Sequence, residues 1–244
     1  MKININKAAN ILSVTLMTLR RWDSQGVLKA RRDSPTAHRY YQSDGIEDFL
    51  ADNFKYLRNS AVRWTFSQDT DEGIILPRFY CEDSSIFKAR LTKLEKELQR
   101  DPKLQDNFSL VTSIVGEIGN NSFDHNIGNW PGTPGIFFGY NLKTKKIILS
   151  DKGRGVLATL KKAKSDLKND EEALKVAFTE VISGRSPESR GNGLKYVKKL
   201  IIKYSMNLEF QSGNGLAEIN GDLDISNAKD NLNGCFAILD YKNL

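Results

Sequence analysis

Cysteine and histidine are scarce in this chain of 244 residues. The two cysteines, Cys81 and Cys235, lie far apart and form no CxxC pair. That argues against a zinc site or a thioredoxin-like motif and leaves two reduced thiols as the simpler expectation. Only two histidines, His38 and His125, are present. No apolar run is long enough to span a bilayer. The N-terminus MKININKAAN lacks the apolar core of a signal peptide. A cytoplasmic protein with no membrane partner is the expectation. Apolar residues make up 39% and charged residues 27%, which suits a globular chain with a substantial core. The net charge of +6 matters only where it is concentrated.

It is concentrated near the start. Between Thr15 and Tyr41 stand six basic residues (Arg20, Arg21, Lys29, Arg31, Arg32, Arg39) against two acids, Asp23 and Asp33. Residues 42–52 then carry four acids and no base. The hydrophobic spacing predicts a short helix over 7–12, a turn at Ser13-Val14, and a second helix over 16–24. Thr15 is placed to cap the second helix and Gly26 to end it. Leu16, Leu19 and Trp22 recur at helical spacing and are expected in a core. A third short helix is predicted over 43–50. Helix, tight turn, helix and basic loop is the order that a winged helix-turn-helix requires. Its second helix enters the major groove, and nearby cations hold phosphates. Thr15, Met17, Thr18 and Arg21 are candidates for groove contact. Arg20, Arg32, Arg39 and Tyr40 are candidates for backbone or wing contact. A small helical domain with a solvated basic face is the simpler alternative.

The remainder shows three polar clusters in an otherwise apolar frame. The first is Glu117-Ile118-Gly119-Asn120-Asn121-Ser122-Phe123-Asp124-His125, on a helix predicted over 108–123. Glu117, Asn121 and Asp124 share one face at i, i+4, i+7 spacing. Carboxylate and amide groups projecting from an apolar helix are costly to bury without partners. A magnesium ion carrying a phosphate would satisfy them, with Asn121 as the metal ligand and Glu117 as a general base. An exposed polar stripe explains the spacing equally well. The second cluster, Asp151-Lys152-Gly153-Arg154-Gly155, follows a hairpin predicted over 135–141 and 145–151. A strand-end Asp can accept a hydrogen bond from an adenine amino group, and glycines let backbone approach a ligand. Lys152 and Arg154 are as readily solvated charges. The third, Arg190-Gly191-Asn192-Gly193-Leu194, opens a helix predicted over 194–202, a ready phosphate site. Further helices are predicted at about 157–168 and 171–182, and final strands over 208–210, 216–219 and 236–241.

Two families fit these patterns. Ala8-Ala9, Ile11-Leu12-Ser13-Val14, Thr18-Leu19-Arg20-Arg21-Trp22, Gly26 and His38-Arg39-Tyr40-Tyr41 resemble the DNA-binding domain of MerR-type regulators and excisionases. The resemblance spans about residues 3–50. It implies that the helix bearing Thr18 and Arg20 reads DNA and that Arg39 and Tyr40 hold the backbone. The three polar clusters, in their order, resemble the N box and the two glycine boxes of the GHKL ATPases, the superfamily of gyrase and the histidine kinases, over about 84–241. That implies an α+β fold: a two-layer α/β sandwich with helices on a mixed, mainly antiparallel sheet. It also implies ATP and Mg²⁺ as ligands, Asn121 on the metal, Asp151 on adenine, and a lid at about 156–190. The resemblance makes Arg185, Ser186 and Arg190 candidate lid contacts to phosphate. The pocket then comprises Asn121, Asp124, His125, Asp151, Gly153, Gly155, Arg190, Gly191, Asn192, Gly193 and Leu194. The Glu-x-x-x-Asn-Ser-x-x-His string is similar to the anti-sigma serine kinase branch.

The expected organisation is therefore a DNA-binding block at 1–52, a connector at 53–83 and an ATP-binding domain at 84–244. The function expected first is an ATP- and Mg²⁺-dependent DNA-binding transcription regulator. A serine kinase acting on a partner protein is the alternative, and an ATP-driven assembly factor of mobile elements or phage defence comes third. A homodimer is left open.

Overall fold

The computed structural model describes residues 1–66, 76–181 and 193–244. Strand β1 (Lys2–Asn4) leads into helix α1 (Ile5–Leu12), where the Asn4 side chain caps the N-terminus by accepting from Lys7 N. The chain leaves α1 through Ser13, whose left-handed φ of 52° returns its N–H to the helix carbonyls. Helix α2 (Leu16–Gln25) starts on the Thr15 side-chain cap and ends at Gly26, φ 75°. Strand β2 (Tyr40–Gln42) pairs antiparallel with β1, and an Arg31–Tyr40 bridge closes the wing. Helix α3 (Ser43–Asp52) completes the block. Its centre is aromatic: the Trp22 ring packs tilted against Phe49, centroids 4.9 Å apart, and edge-on against Tyr56 at 5.1 Å.

The larger part is a five-stranded sheet in the order β3-β4-β5-β7-β6. The strands are β3 (Tyr80–Cys81), β4 (Ile136–Asn141), β5 (Lys146–Asp151), β6 (Asn207–Asn220) and β7 (Asp222–Asp240). Among the described residues every pairing is antiparallel, not mixed. One face of the sheet packs on helices α5 (Ser84–Gln99), α6 (Phe108–Asn126), α8 (Asp170–Thr179) and α9 (Gly193–Lys203). The short helix α7 (Gly155–Leu160) joins α8 at the end of the sheet. The final-strand residues expected as separate pieces at 208–210 and 216–219 belong to one 14-residue strand, bulged at Ser212–Gly215. Its partner β7 begins just after Gly221. The missed signal was the turn at Asn220-Gly221, a favoured hairpin dipeptide.

The span 53–83 is not a bare connector. It contains helix α4 (Phe54–Phe66), a 3-10 turn at Pro77–Phe79, and β3, the edge strand of the sheet. Helix α4 lies on the second sheet face. Leu57, Ala61 and Trp64 are buried in one core with Phe137, Ile148, Phe236 and Ile238 of the sheet. That same core continues into Leu12, Leu19, Ile46 and Leu50 of the N-terminal block. Both faces of the sheet are thus covered. Alternate residues of β5 and β7 enter different cores: Ile148, Phe236 and Ile238 face α4, while Ile147, Leu149, Ala237 and Leu239 face α6 and α9. This explains why Ile147-Ile148-Leu149 is a continuous apolar run and not an alternating one.

Candidate functional site

Two of the sequence clusters reach helix α6, which carries the third: Gly193 lies against Glu117 and Asn121, and Asp151 is bonded to Ser122. Helix α6 is held in the apolar layer by Val111, Ile114, Val115 and Ile118, which leaves Glu117 and Asn121 half-buried on its flank. The first residue of α9, Gly193, lies directly against them. A β-carbon added there would overlap the Glu117 carboxylate and sit 3.1 Å from Asn121 Nδ2. Leu194 packs partly buried against the main core. Asp124 is exposed near the end of α6, and His125 is half-buried beside it. Arg185, Ser186, Arg190, Gly191 and Asn192 lie outside the described residues. Of the region expected as a lid, 155–181 holds α7 and α8, and α8 packs on β6.

Asp151 ends β5 and is 2% exposed. Its side chain turns toward α6. Ser122 Oγ donates to Oδ2 at 2.7 Å, and the Gly153 N–H donates to Oδ1 at 2.8 Å. Burial pushes the Asp151 carboxyl up from its ordinary value, opposed by the Ser122 hydroxyl and the Gly153 and Cys235 amides. A carboxylate offers about four lone-pair sites, so these three donors leave it able to accept another N–H. The following loop is tied to α6 by Asn126. Asn126 Oδ1 accepts from Arg154 N at 3.0 Å, and its Nδ2 donates to Ser122 O at 2.7 Å. Gly153 is required here, because a β-carbon would overlap the Asn126 amide. Gly155 turns with φ 75°, and Val156 N then donates to Ser212 Oγ at 2.8 Å. Arg154 Nε donates to Asn129 O at 3.0 Å, and Lys152 is buried with Nζ 5.3 Å from the Trp64 ring. Neither is a purely solvated charge.

Sequence reasoning missed Ser122, Asn126 and Ser212, each of which shapes this loop. Ser122 and Asn126 stand at i and i+4 on α6, the first inside the quoted motif and the second just past it, and only their partner loop reveals their role. Among the described residues no group of three or more His, Cys, Asp and Glu side chains could hold a metal. Glu117 and Asn121 supply hard oxygens only in company with a ligand's own oxygens, which fits magnesium bound with phosphate.

In the N-terminal block the outer face of α2 is open. Leu16, Met17, Arg20 and Arg21 are exposed, and Met17 is 79% exposed despite being apolar. Thr15 is spent on capping: its Oγ1 accepts from Thr18 N at 3.1 Å and lies 3.0 Å from Thr18 Oγ1. Arg39 Nε donates to Asp23 Oδ2 at 2.9 Å, which ties the wing to α2. Tyr40 OH donates to Asp33 Oδ1 at 3.1 Å, and Lys2 Nζ lies 4.5 Å from its ring centroid. Arg32 Nη1 donates to Pro35 O at 3.0 Å within the loop. Residues 3–58 match the family model described as MerR HTH family regulatory protein. This block is a MerR-family helix-turn-helix.

The MerR-type block extends past residue 52 into the first turn of α4, so it includes the start of the helix that covers the sheet. Its exposed α2 face and uncovered cations have the chemistry to meet base edges and phosphates. No described helix is long and apolar enough to cross a membrane. The chain matches no curated protein.

Proposed function

We propose that this chain is a cytoplasmic DNA-binding transcription regulator with an ATP- and Mg²⁺-binding pocket of the GHKL type. The MerR-family block supports the first half. The observation that carries the second is the contact of Gly193 with Glu117 and Asn121, some seventy residues away in sequence, beside an Asp151 held by Ser122 of the same helix. Residues of three motifs that are individually common thus bear on one helix, which supports the reading. In this reading Asp151 accepts the adenine amino group, and Asn121 with Glu117 faces the phosphates. Gly193 opens α9 toward them. Magnesium, when bound, would neutralise phosphate charge there. Glu117 is placed to hold a water for slow hydrolysis.

In a regulator of this kind, ATP alters DNA affinity only if it contacts two conformations unequally. DNA affinity is therefore to be measured with ATP, ADP and no nucleotide. Equal affinity in all three removes the nucleotide dependence. Asn121→Ala is expected to abolish ATP binding, and intact binding overturns the pocket assignment. A serine-kinase role is the second reading, favoured by His125 lying half-buried four residues beyond Asn121 in the same helix. Transfer of labelled phosphate from ATP to a co-purified protein would support it, and release of free phosphate alone would not.

A further inference from the structure

Asp151 is the middle residue of Ser150-Asp151-Lys152, and strand alternation sends its neighbours to the opposite side of the sheet. That side is occupied by the C-terminal end of α4. The Ser150 and Thr65 hydroxyls lie 2.6 Å apart in a buried hydrogen bond. Thr65 Oγ1 is also within 2.8 Å of Ala61 O in its own helix, and Ser150 Oγ is 3.0 Å from Cys235 O on β7. Lys152 Nζ lies 5.3 Å from the Trp64 ring centroid, with both residues buried. Both flanks of Asp151 are thus held by consecutive residues of one helix. That helix also packs on α1 and α3 of the MerR-type block. Tight packing on both sides leaves no slack to absorb a shift of the strand.

We propose that Thr65 and Trp64 are positioning residues for Asp151, and that α4 carries the state of the pocket to the helix-turn-helix. The proposal rests on the nucleotide reading above. Adenine bound to Asp151 pulls on the end of β5. Ser150 and Lys152 pass that displacement or stiffening to Thr65 and Trp64, and α4 passes it to α1 and α3. Contacts across this wall that differ between the two states give ATP a differential hold on the N-terminal block.

The test uses the full chain, with ATP and Mg²⁺ as the probe. Two quantities are measured: ATP affinity, and backbone hydrogen exchange over residues 54–66 with and without nucleotide. In the native protein the α4 amides are expected to slow on ATP addition. Thr65→Val, which keeps the shape and removes the hydroxyl, is expected to weaken ATP about three- to tenfold and to abolish the exchange response. Thr65→Ser is expected to restore both. Ser150→Ala breaks the same hydrogen bond from the strand side and is expected to match Thr65→Val, so the proposal does not hang on one variant folding. Native-like affinity in the folded variants, or an unchanged α4 response to ATP, overturns the proposal. Failure of the native chain to bind ATP at all overturns the pocket reading itself. ATP binding without any α4 response overturns only this inference.

Discussion

Gly193 and Glu117 touch: the Glu117 carboxylate occupies the space that a β-carbon on Gly193 would need. Gly193→Ala must therefore swing aside the Glu117 carboxylate, the far end of a flexible side chain, at a small cost in local strain. Because the strain falls on the face shared with Asn121, the expected outcome is a large loss of ATP affinity with little loss of fold. Equilibrium ATP binding and a thermal melt on the same sample check this. Unaltered affinity at unaltered stability would place the ligand elsewhere.

Asn126 ties the loop after β5 to α6 with two hydrogen bonds, to Arg154 N and Ser122 O. Asn126→Ala leaves a partly buried N–H and carbonyl without those partners, at about 1–3 kcal/mol. The expected result is a lower denaturant midpoint together with weaker ATP binding, since the loop sets Asp151 and Gly153. A loss of stability with native affinity would show that the loop holds its shape without Asn126.

These two sites show what the sequence could and could not disclose. The helices of the MerR-type block were legible because capping residues and turn residues act locally: Thr15 and Gly26 bound α2 as expected. Glu117, Asn121 and Asp151 drew notice as candidates because polar groups in an apolar frame stand out. Helix α4 was not, because its apolar residues serve two partners at once and blur a one-faced pattern: Leu57 and Trp64 reach the sheet while Tyr56 packs on Trp22. The Thr65–Ser150 contact spans 85 residues, and nothing local to either hydroxyl announces it.

Arg20 and Arg21 stand exposed on α2. Replacing either with Ala is expected to weaken DNA binding and, if it meets a phosphate, to reduce the slope of log affinity against log salt by about 0.9. Arg39→Ala behaves differently, because Arg39 is committed to Asp23. It should lower the stability of the block as well as its affinity. Salt titrations of DNA binding alongside melts separate the two behaviours. A common stability loss across all three variants would refute the distinction.

Asp23 links this block to acid. Burial alone would push its carboxyl up, but the Ala30 N–H and the Arg39 guanidinium outweigh that and hold it below its ordinary value. The folded state therefore favours the ionised form. Its contribution is present above the unfolded value, about 3.9, and is lost as pH falls through the lower folded value. Native protein is expected to lose stability over that acidic window, and Asp23→Asn to lose less over the same window. Parallel melts from pH 6 down to about pH 3 check it, and identical pH dependence in both proteins would remove Asp23 from the account.

Tyr241 offers a test in the opposite direction. It is fully buried at the end of β7, and among the described residues no group hydrogen-bonds its hydroxyl. Burial pushes its phenol above the ordinary value, with Asp101 and Asp240 nearby adding to the shift. A buried hydroxyl without a partner costs about 1–3 kcal/mol of desolvation, and Phe fills almost the same volume. Tyr241→Phe is therefore expected to be neutral or to raise stability, by about 2–4 °C in Tm for each 1 kcal/mol recovered in a chain of this size. Because Tyr241 lies at the sheet end away from Asp151, pairing near Lys145 and not near Gly153, ATP binding should not change. A fall in Tm would mean that the hydroxyl is paired in solution, and a change in ATP affinity would mean that the two ends of the sheet are mechanically linked.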